Sequence, residues 1–116
     1  MNQRFDHEKL DVYRLAIEFV GWTAQLLEGL DGPARHPRDQ LLRSSQSIAQ
    51  NIAEGNGKRT APERRRYFEI ARGSAMESAA TLDILIAISA RPLDEVAHGK
   101  GQLYRLVQML SAMTRR

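Results

Sequence analysis

Five basic side chains fall within nine consecutive positions of this 116-residue chain. They are Lys58, Arg59, Arg64, Arg65 and Arg66. Lysine and arginine donate charge-assisted hydrogen bonds to phosphate oxygens, and the amides of a helix N-terminus favour the same anions. Tyr67 and Phe68 follow directly, but their spacing points them toward a core, so we expect nucleic acid to be contacted through its backbone. The alternative is that the arginines only solvate the start of a helix.

A second group of polar residues lies within otherwise apolar helical stretches. Ser44, Ser47, Asn51 and Glu54 recur at spacings of three and four, and Arg72, Ser74 and Glu77 follow later in the chain. A carboxylate removed from water must be paired. We therefore expect Glu54 or Glu77 to meet Arg72, and we predict a structural polar network of Asn51, Glu54, Arg72, Ser74 and Glu77. A catalytic carboxylate pair is the alternative, but it would also need a concave pocket and an activated group.

Other patterns give little support for catalysis or metal binding. The segment GNGKRT at residues 55–60 resembles a phosphate-binding loop only weakly. Ile52 occupies the position of the motif's first glycine, and Arg59 stands where serine or threonine should follow the lysine. The three histidines lie far apart, and the chain has no cysteine. We predict no catalytic residue, no cofactor and no metal site, and therefore a protein that is not an enzyme.

Apolar residues at helical spacing, separated by glycine and proline, predict an all-α chain. The expected helices span about residues 8–28, 38–54, 61–90 and 94–114 of one domain, residues 1–116. Thr60 and Glu63 have the spacing of a capping box at the start of the third helix, and Gly55 is expected to end the second helix in a left-handed conformation. Short connections favour an antiparallel up-down-up-down four-helix bundle.

The first helix carries more apolar surface than one bundle core needs. Tyr13, Ile17, Val20, Ala24 and Leu27 form the predicted inward stripe. A second stripe lies nearly opposite, so the apolar arc spans roughly 220° at 100° per residue. We predict that this second stripe is an oligomer interface, and it consists of Leu15, Phe19, Trp22 and Leu26. Residues 73–90 are also nearly apolar, but their two carboxylates argue against a membrane span.

The polar helix residues also carry a resemblance. The stretch LLRSSQSIAQNIAEGNG at residues 41–57, followed by YFEIARGS at 67–74 and by Glu77, resembles the four helix bundle protein family, also called 23S rRNA intervening-sequence proteins. The opening LDVY at 10–13 is similar as well, so the match covers about residues 5–114. Ala49 departs from the family, in which many members have proline, and this implies a straighter second helix.

The resemblance implies a homopentameric barrel with a central channel and no established enzymatic activity. A related branch, the accessory variability proteins of diversity-generating retroelements, resembles a basic pentameric partner of a reverse transcriptase and its RNA. RNA or DNA, and a reverse transcriptase, are therefore the partners that the resemblance suggests.

Charge agrees with a nucleic-acid partner. Residues 31–72 hold nine Lys/Arg and five Asp/Glu in a chain of net charge +3, and repetition of this patch in an oligomer would multiply its positive potential. We predict a non-enzymatic homo-oligomer that binds the RNA or DNA backbone as an adaptor in a ribonucleoprotein or retroelement. The alternative is an assembly scaffold for a protein partner, with no nucleic-acid role. The polar N-terminus and the absence of cysteine predict a cytoplasmic protein without a membrane partner.

Overall fold

Four helices form the protein in a computed structural model that describes residues 3–115. They are α1 (Asp11–Leu26), α2 (Arg35–Asn56), α3 (Ala61–Ala87) and α4 (Leu93–Thr114). Short 3-10 helices precede α1 at Asp6–Lys9 and α2 at Gly32–Ala34, and residues 3–115 contain no strand. The predicted all-α class is confirmed.

The helices pack as an antiparallel bundle. α1 contacts α2 and α4, and α3 contacts the same two helices, so α1 and α3 occupy opposite corners. The shared core includes Phe19 from α1, Ile48 from α2, Leu82 from α3 and Leu106 from α4, all fully buried. This arrangement confirms the predicted four-helix bundle.

The helix ends differ from the predicted ones where the backbone turns. α1 begins at Asp11 rather than near residue 8, because Leu10 is extended (φ −81°, ψ 130°) and the preceding 3-10 turn is closed by the Glu8 carboxylate, which accepts from the Phe5 N–H at 2.6 Å. α2 begins a turn earlier than predicted, with Pro37 inside its first turn, where the missing N–H costs no helical bond. α3 stops at Ala87 because Ser89 has φ 60°.

Gly55 has a different role from the predicted left-handed cap. It lies inside α2, which continues to Asn56, and positive φ occurs within residues 3–115 only at Gly29, Gly32 and Ser89. A Cβ on Gly55 would lie 2.8 Å from Cε1 of Phe68. The glycine therefore lets α3 approach the end of α2 closely.

The α1 stripe predicted to face outward lies in the core instead, and the stripe predicted inward is divided, with Leu27 buried and Ala24 exposed. Leu15, Phe19 and Leu26 lie in the protomer's own core, and half-buried Trp22 packs on Phe19 with ring centroids 5.8 Å apart. These four residues are therefore not a free oligomer interface, and that prediction is wrong. Ile17, predicted inward, is 46% exposed instead.

Candidate nucleic-acid interface

The antiparallel connections bring four helix termini to one end of the bundle. The Asp6 carboxylate accepts from Asn56 Nδ2 at 2.9 Å, which joins the chain before α1 to the end of α2. Arg72 Nε donates to Ser111 Oγ at 2.8 Å, which joins the first half of α3 to the end of α4. We call this part of the molecule, residues 3–14, 50–72 and 107–115, the basic end.

Charge is distributed unevenly between the two ends. The basic end holds ten Lys/Arg and six Asp/Glu. The opposite end, residues 19–43 and 79–100, holds five Lys/Arg and six Asp/Glu. The positive charge of the described chain is thus concentrated at one end, where it would raise the local concentration of a polyanion.

The start of α3 is built as its sequence predicts. Thr60 is the N-cap of a helix that begins at Ala61, and its hydroxyl accepts from the Glu63 N–H at 3.3 Å. The Glu63 carboxylate accepts from the same hydroxyl at 2.8 Å. The hydroxyl half of the predicted capping box therefore forms, while the carboxylate bonds to the threonine hydroxyl.

Arg64 holds the corner between α2 and α3. Its guanidinium donates to the backbone oxygen of Asn56 at 2.7 Å and to that of Lys58 at 3.2 Å, and it lies 5.8 Å from the centroid of the Phe68 ring. The Asn56 carbonyl ends α2 and the Lys58 carbonyl lies in the loop that follows, so Arg64 caps α2 and ties it to this loop. The phosphate contact predicted for Arg64 stays a prediction, and fewer of its guanidinium N–H groups remain to make it.

The other predicted phosphate contacts differ in exposure. Lys58 is half-buried, with Nζ 3.4 Å from the Glu54 carboxylate and 5.2 Å from the centroid of the Tyr67 ring. Arg65 is also half-buried, whereas Arg59 and Arg66 are exposed. Arg59 and Arg66 are therefore the best placed of the five predicted contacts to reach a phosphate.

The predicted polar network forms only in its uncharged part. Ser47 Oγ lies 2.9 Å from Ser74 Oγ, and Asn51 Nδ2 donates to the backbone oxygen of Ser47 at 2.8 Å and to its Oγ at 3.0 Å. A second hydroxyl pair, Ser44 with Ser78 at 2.7 Å, lies deeper between α2 and α3. Asn51 and Ser74 thus meet through Ser47.

The predicted pairing of a buried carboxylate with Arg72 is wrong. Glu54 and Glu77 are both exposed, and Glu54 pairs with Lys58 one turn further along the chain. Arg72 donates to Ser111 of α4 instead. The two carboxylates avoid the desolvation cost that the prediction assumed, and they form no buried catalytic pair.

A groove lies between the N-terminal segment and the second half of α2. It has a volume of about 720 Å³ and is lined mostly by polar residues, namely His7, Gln50, Asn51, Ala53, Glu54, Gly57 and Lys58. Phe5 lies next to His7 in the chain's first turn, with ring planes 11° apart. Sequence reasoning missed this groove, because nothing in the residues around Phe5 and His7 indicates that the segment docks against the end of α2.

Within residues 3–115, no cluster of three or more His, Asp or Glu is placed to hold a metal ion. None of the helices in this part of the chain combines the length and apolar character needed to cross a membrane.

Comparisons with known proteins agree with the fold. Residues 8–112 match the family described as 23S rRNA-intervening sequence protein. A crystal structure from Bacteroides thetaiotaomicron, described as a protein of unknown function from the S23 ribosomal protein family, is similar with a TM-score of 0.82 at 20% identity. The similarity covers 90% of this chain and 99% of that chain, and at this identity it shows a shared fold. No curated protein sequence matches this chain.

Proposed function

This chain belongs to the 23S rRNA-intervening sequence protein family, and from this premise we propose that it is a non-enzymatic homo-oligomer that binds the phosphate backbone of RNA or DNA. It would act as an adaptor in a ribonucleoprotein or retroelement. The family description names a ribosomal RNA, and the similar structure from Bacteroides is described as a protein of unknown function from the S23 ribosomal protein family. Both descriptions support RNA as the first ligand to test.

The concentration of positive charge at the basic end carries this proposal. Ten Lys/Arg, including exposed Arg59, Arg66 and Arg115, gather from separate segments of the chain. Each phosphate neutralised by such a side chain releases counterions, so log K would fall with log salt by about 0.9 per phosphate for a duplex and about 0.7 for a single strand.

The exposed apolar surface supports self-association. Four large apolar side chains on α3 or directly after it are between 42% and 52% exposed, namely Ile70, Met76 and Ile84 on α3 and Ile88 just beyond its end. On α1, at the opposite corner of the bundle, Ile17 is 46% exposed. Packing of the α3 face of one copy on the α1 face of the next would be head-to-tail, and such interfaces form closed rings when the rotation between copies closes. A pentameric ring would then place every basic end on one rim.

Salt-dependent binding tests the nucleic-acid part. We expect labelled RNA to bind with an affinity that falls steeply with salt in fluorescence anisotropy. Arg59→Ala/Arg66→Ala should reduce the slope of log K against log salt by about one unit for each phosphate that is no longer neutralised. Arg43→Ala/Arg105→Ala removes the same charge from exposed positions outside the basic end and serves as the control. Equal weakening by the two double variants, or no binding by the wild type, would overturn the proposal.

Particle mass tests the oligomer. Light scattering of the wild type should give a multiple of the 13.1 kDa chain, and Ile84→Glu should give smaller particles because a charge in an apolar interface is costly. Leu93→Glu, a change of the same kind at the exposed start of α4, is the control. A single-copy wild type at micromolar concentration would contradict the oligomer.

The second candidate is an assembly scaffold that binds another protein. The exposed apolar side chains of α3 favour it, because exposed apolar patches mark sites of protein contact. Binding through that face would persist at moderate salt, whereas phosphate binding would not.

A further inference from the structure

An aromatic surface lies at the groove described above, which His7 lines together with Lys58. Phe5 is 75% exposed, and its ring is stacked on that of His7 with centroids 5.8 Å apart. His7 in turn meets the edge of Tyr13 at 4.7 Å. The three rings form a continuous surface whose outermost face, that of Phe5, is open to solvent.

The segment that carries this surface is closed by one internal hydrogen bond and joined to the bundle by two further contacts. The Phe5 N–H donates to the Glu8 carboxylate, the Asp6 carboxylate accepts from Asn56, and His7 packs on Tyr13. An aromatic face that is fixed before binding loses little freedom when a ligand stacks on it.

The polar groups of the adjoining groove are suited to bind the edge of a nucleobase rather than a phosphate. Its volume of about 720 Å³ lies within the range of small-molecule sites. Gln50 supplies an amide group, Asn51 supplies its amide oxygen because its Nδ2 is bonded to Ser47, and the Glu54 carboxylate supplies a further acceptor. That carboxylate disfavours a phosphate inside the groove, but it can accept from the exocyclic amino group of a nucleobase. Lys58 lies in the groove wall, and Arg59 follows it in the chain.

We propose that the Phe5–His7 face and this groove form a site for unpaired bases, with Lys58 and Arg59 on the flanking phosphates. The proposal rests on the nucleic-acid binding proposed above and narrows it to single strands. A duplex hides the faces of its bases, whereas a single strand can place them on an aromatic ring. The Glu54 carboxylate favours cytosine over uracil, because cytosine presents an amino donor where uracil presents a carbonyl.

Binding of matched single strands and duplexes tests this site. Protein without an N-terminal tag is titrated into labelled oligo-C, oligo-U and a duplex of equal length, with fluorescence anisotropy as the readout. Phe5→Ala should weaken single-strand binding about fivefold or more, the loss expected for one stacked base, and should leave duplex binding unchanged. Phe5→Trp should retain single-strand binding. Tyr104→Ala removes a 67% exposed aromatic ring of α4 and is the matched control.

A spectroscopic probe reports stacking directly. The fluorescence of 2-aminopurine within a single strand should change when the wild type binds, and Phe5→Ala should abolish that change at saturating protein. Glu54→Gln should reduce the preference for oligo-C over oligo-U. An unchanged preference would overturn the role given to Glu54.

The two sets of variants distinguish base stacking from backbone binding. If Phe5→Ala binds single strands as tightly as the wild type while Arg59→Ala/Arg66→Ala weakens them, the base site is refuted and backbone binding stands. Equal wild-type affinity for duplex and single strand would likewise refute the base site alone. If the wild type binds no nucleic acid, both proposals fail.

Discussion

Gly99 and Gly101 lie two residues apart on α4, but their surroundings predict opposite responses to alanine. A Cβ on Gly99 would collide with Cε3, Cζ3 and Cη2 of the Trp22 indole, whereas a Cβ on Gly101 would meet nothing within 4 Å. Alanine at either position gains about 1 kcal/mol of helix propensity. Overpacking at position 99 costs about 1–3 kcal/mol.

The difference in stability between the two variants measures the cost of the collision with Trp22. Gly101→Ala should be about 1 kcal/mol more stable than the wild type, and Gly99→Ala should lie about 1–3 kcal/mol below Gly101→Ala. For a chain of this size the gap corresponds to at least about 4 °C in Tm. Thermal and denaturant unfolding should be followed by circular dichroism at one protein concentration, because association would shift the midpoint.

Tryptophan fluorescence localises the effect, since Trp22 is the only tryptophan in the chain. Gly99→Ala should alter the emission of the folded protein, and Gly101→Ala should not. In a Trp22→Phe background, which removes part of the indole, Gly99→Ala should cost less, and this coupling is the signature of direct contact. Equal stability of Gly99→Ala and Gly101→Ala would refute the close packing of α1 on α4.

Three further predictions concern hydrogen bonds and charge. Ser44→Ala leaves the buried Ser78 hydroxyl without its 2.7 Å partner and should cost about 1–3 kcal/mol in denaturant unfolding, with Ser44→Ala/Ser78→Ala costing less than the sum of the single variants. Arg64→Ala should destabilise by a similar amount, because the Asn56 carbonyl at the end of α2 and the Lys58 carbonyl in the following loop lose a charged donor. A hydrogen bond with the Gly32 backbone and, as the second cause, one with the Arg35 side chain lower the pKa of Asp31 below its ordinary 3.8. The stabilisation is therefore present above that value and lost as pH falls through the folded pKa, so the Tm difference between wild type and Asp31→Asn should shrink on acidification.

Local sequence signals predict the helices better than they predict the faces of those helices. The Thr60 cap and the proline at position 62 locate the start of α3 because both act through bonds within one turn. The inward face of α1 is decided by its neighbours. Both of its stripes are apolar, and only contact with α2 and α4 determines that Phe19 is buried while Ile17 is partly exposed.

Glu54 shows a second limit of prediction from spacing. Its distance in sequence from Ser47 and Asn51 places it near the polar side chains between α2 and α3. Around α2, however, a difference of one residue is enough to move a side chain from the buried side of the helix to the solvent side. With Lys58 four residues later, an exposed ion pair is available at 3.4 Å without desolvation. Sequence spacing cannot distinguish a buried from an exposed position for Glu54, because the packing of α3 on α2 determines how much of the α2 surface is buried.

The positive charge of the basic end depends both on the local sequence and on the topology of the bundle. An up-down bundle brings together the first half of α1, the second half of α2, the first half of α3 and the second half of α4, so alternate half-helices share one end. Arg4, Lys9 and Arg115 thereby join the cluster at residues 58–66, from which they are distant in sequence. Helical periodicity then divides that cluster, since Arg64 and Arg66 lie about 200° apart around α3. Arg64 turns back to cap α2, and Arg66 is left facing solvent. A run of three arginines thus contains both a residue that holds the corner and one that is exposed to meet a ligand.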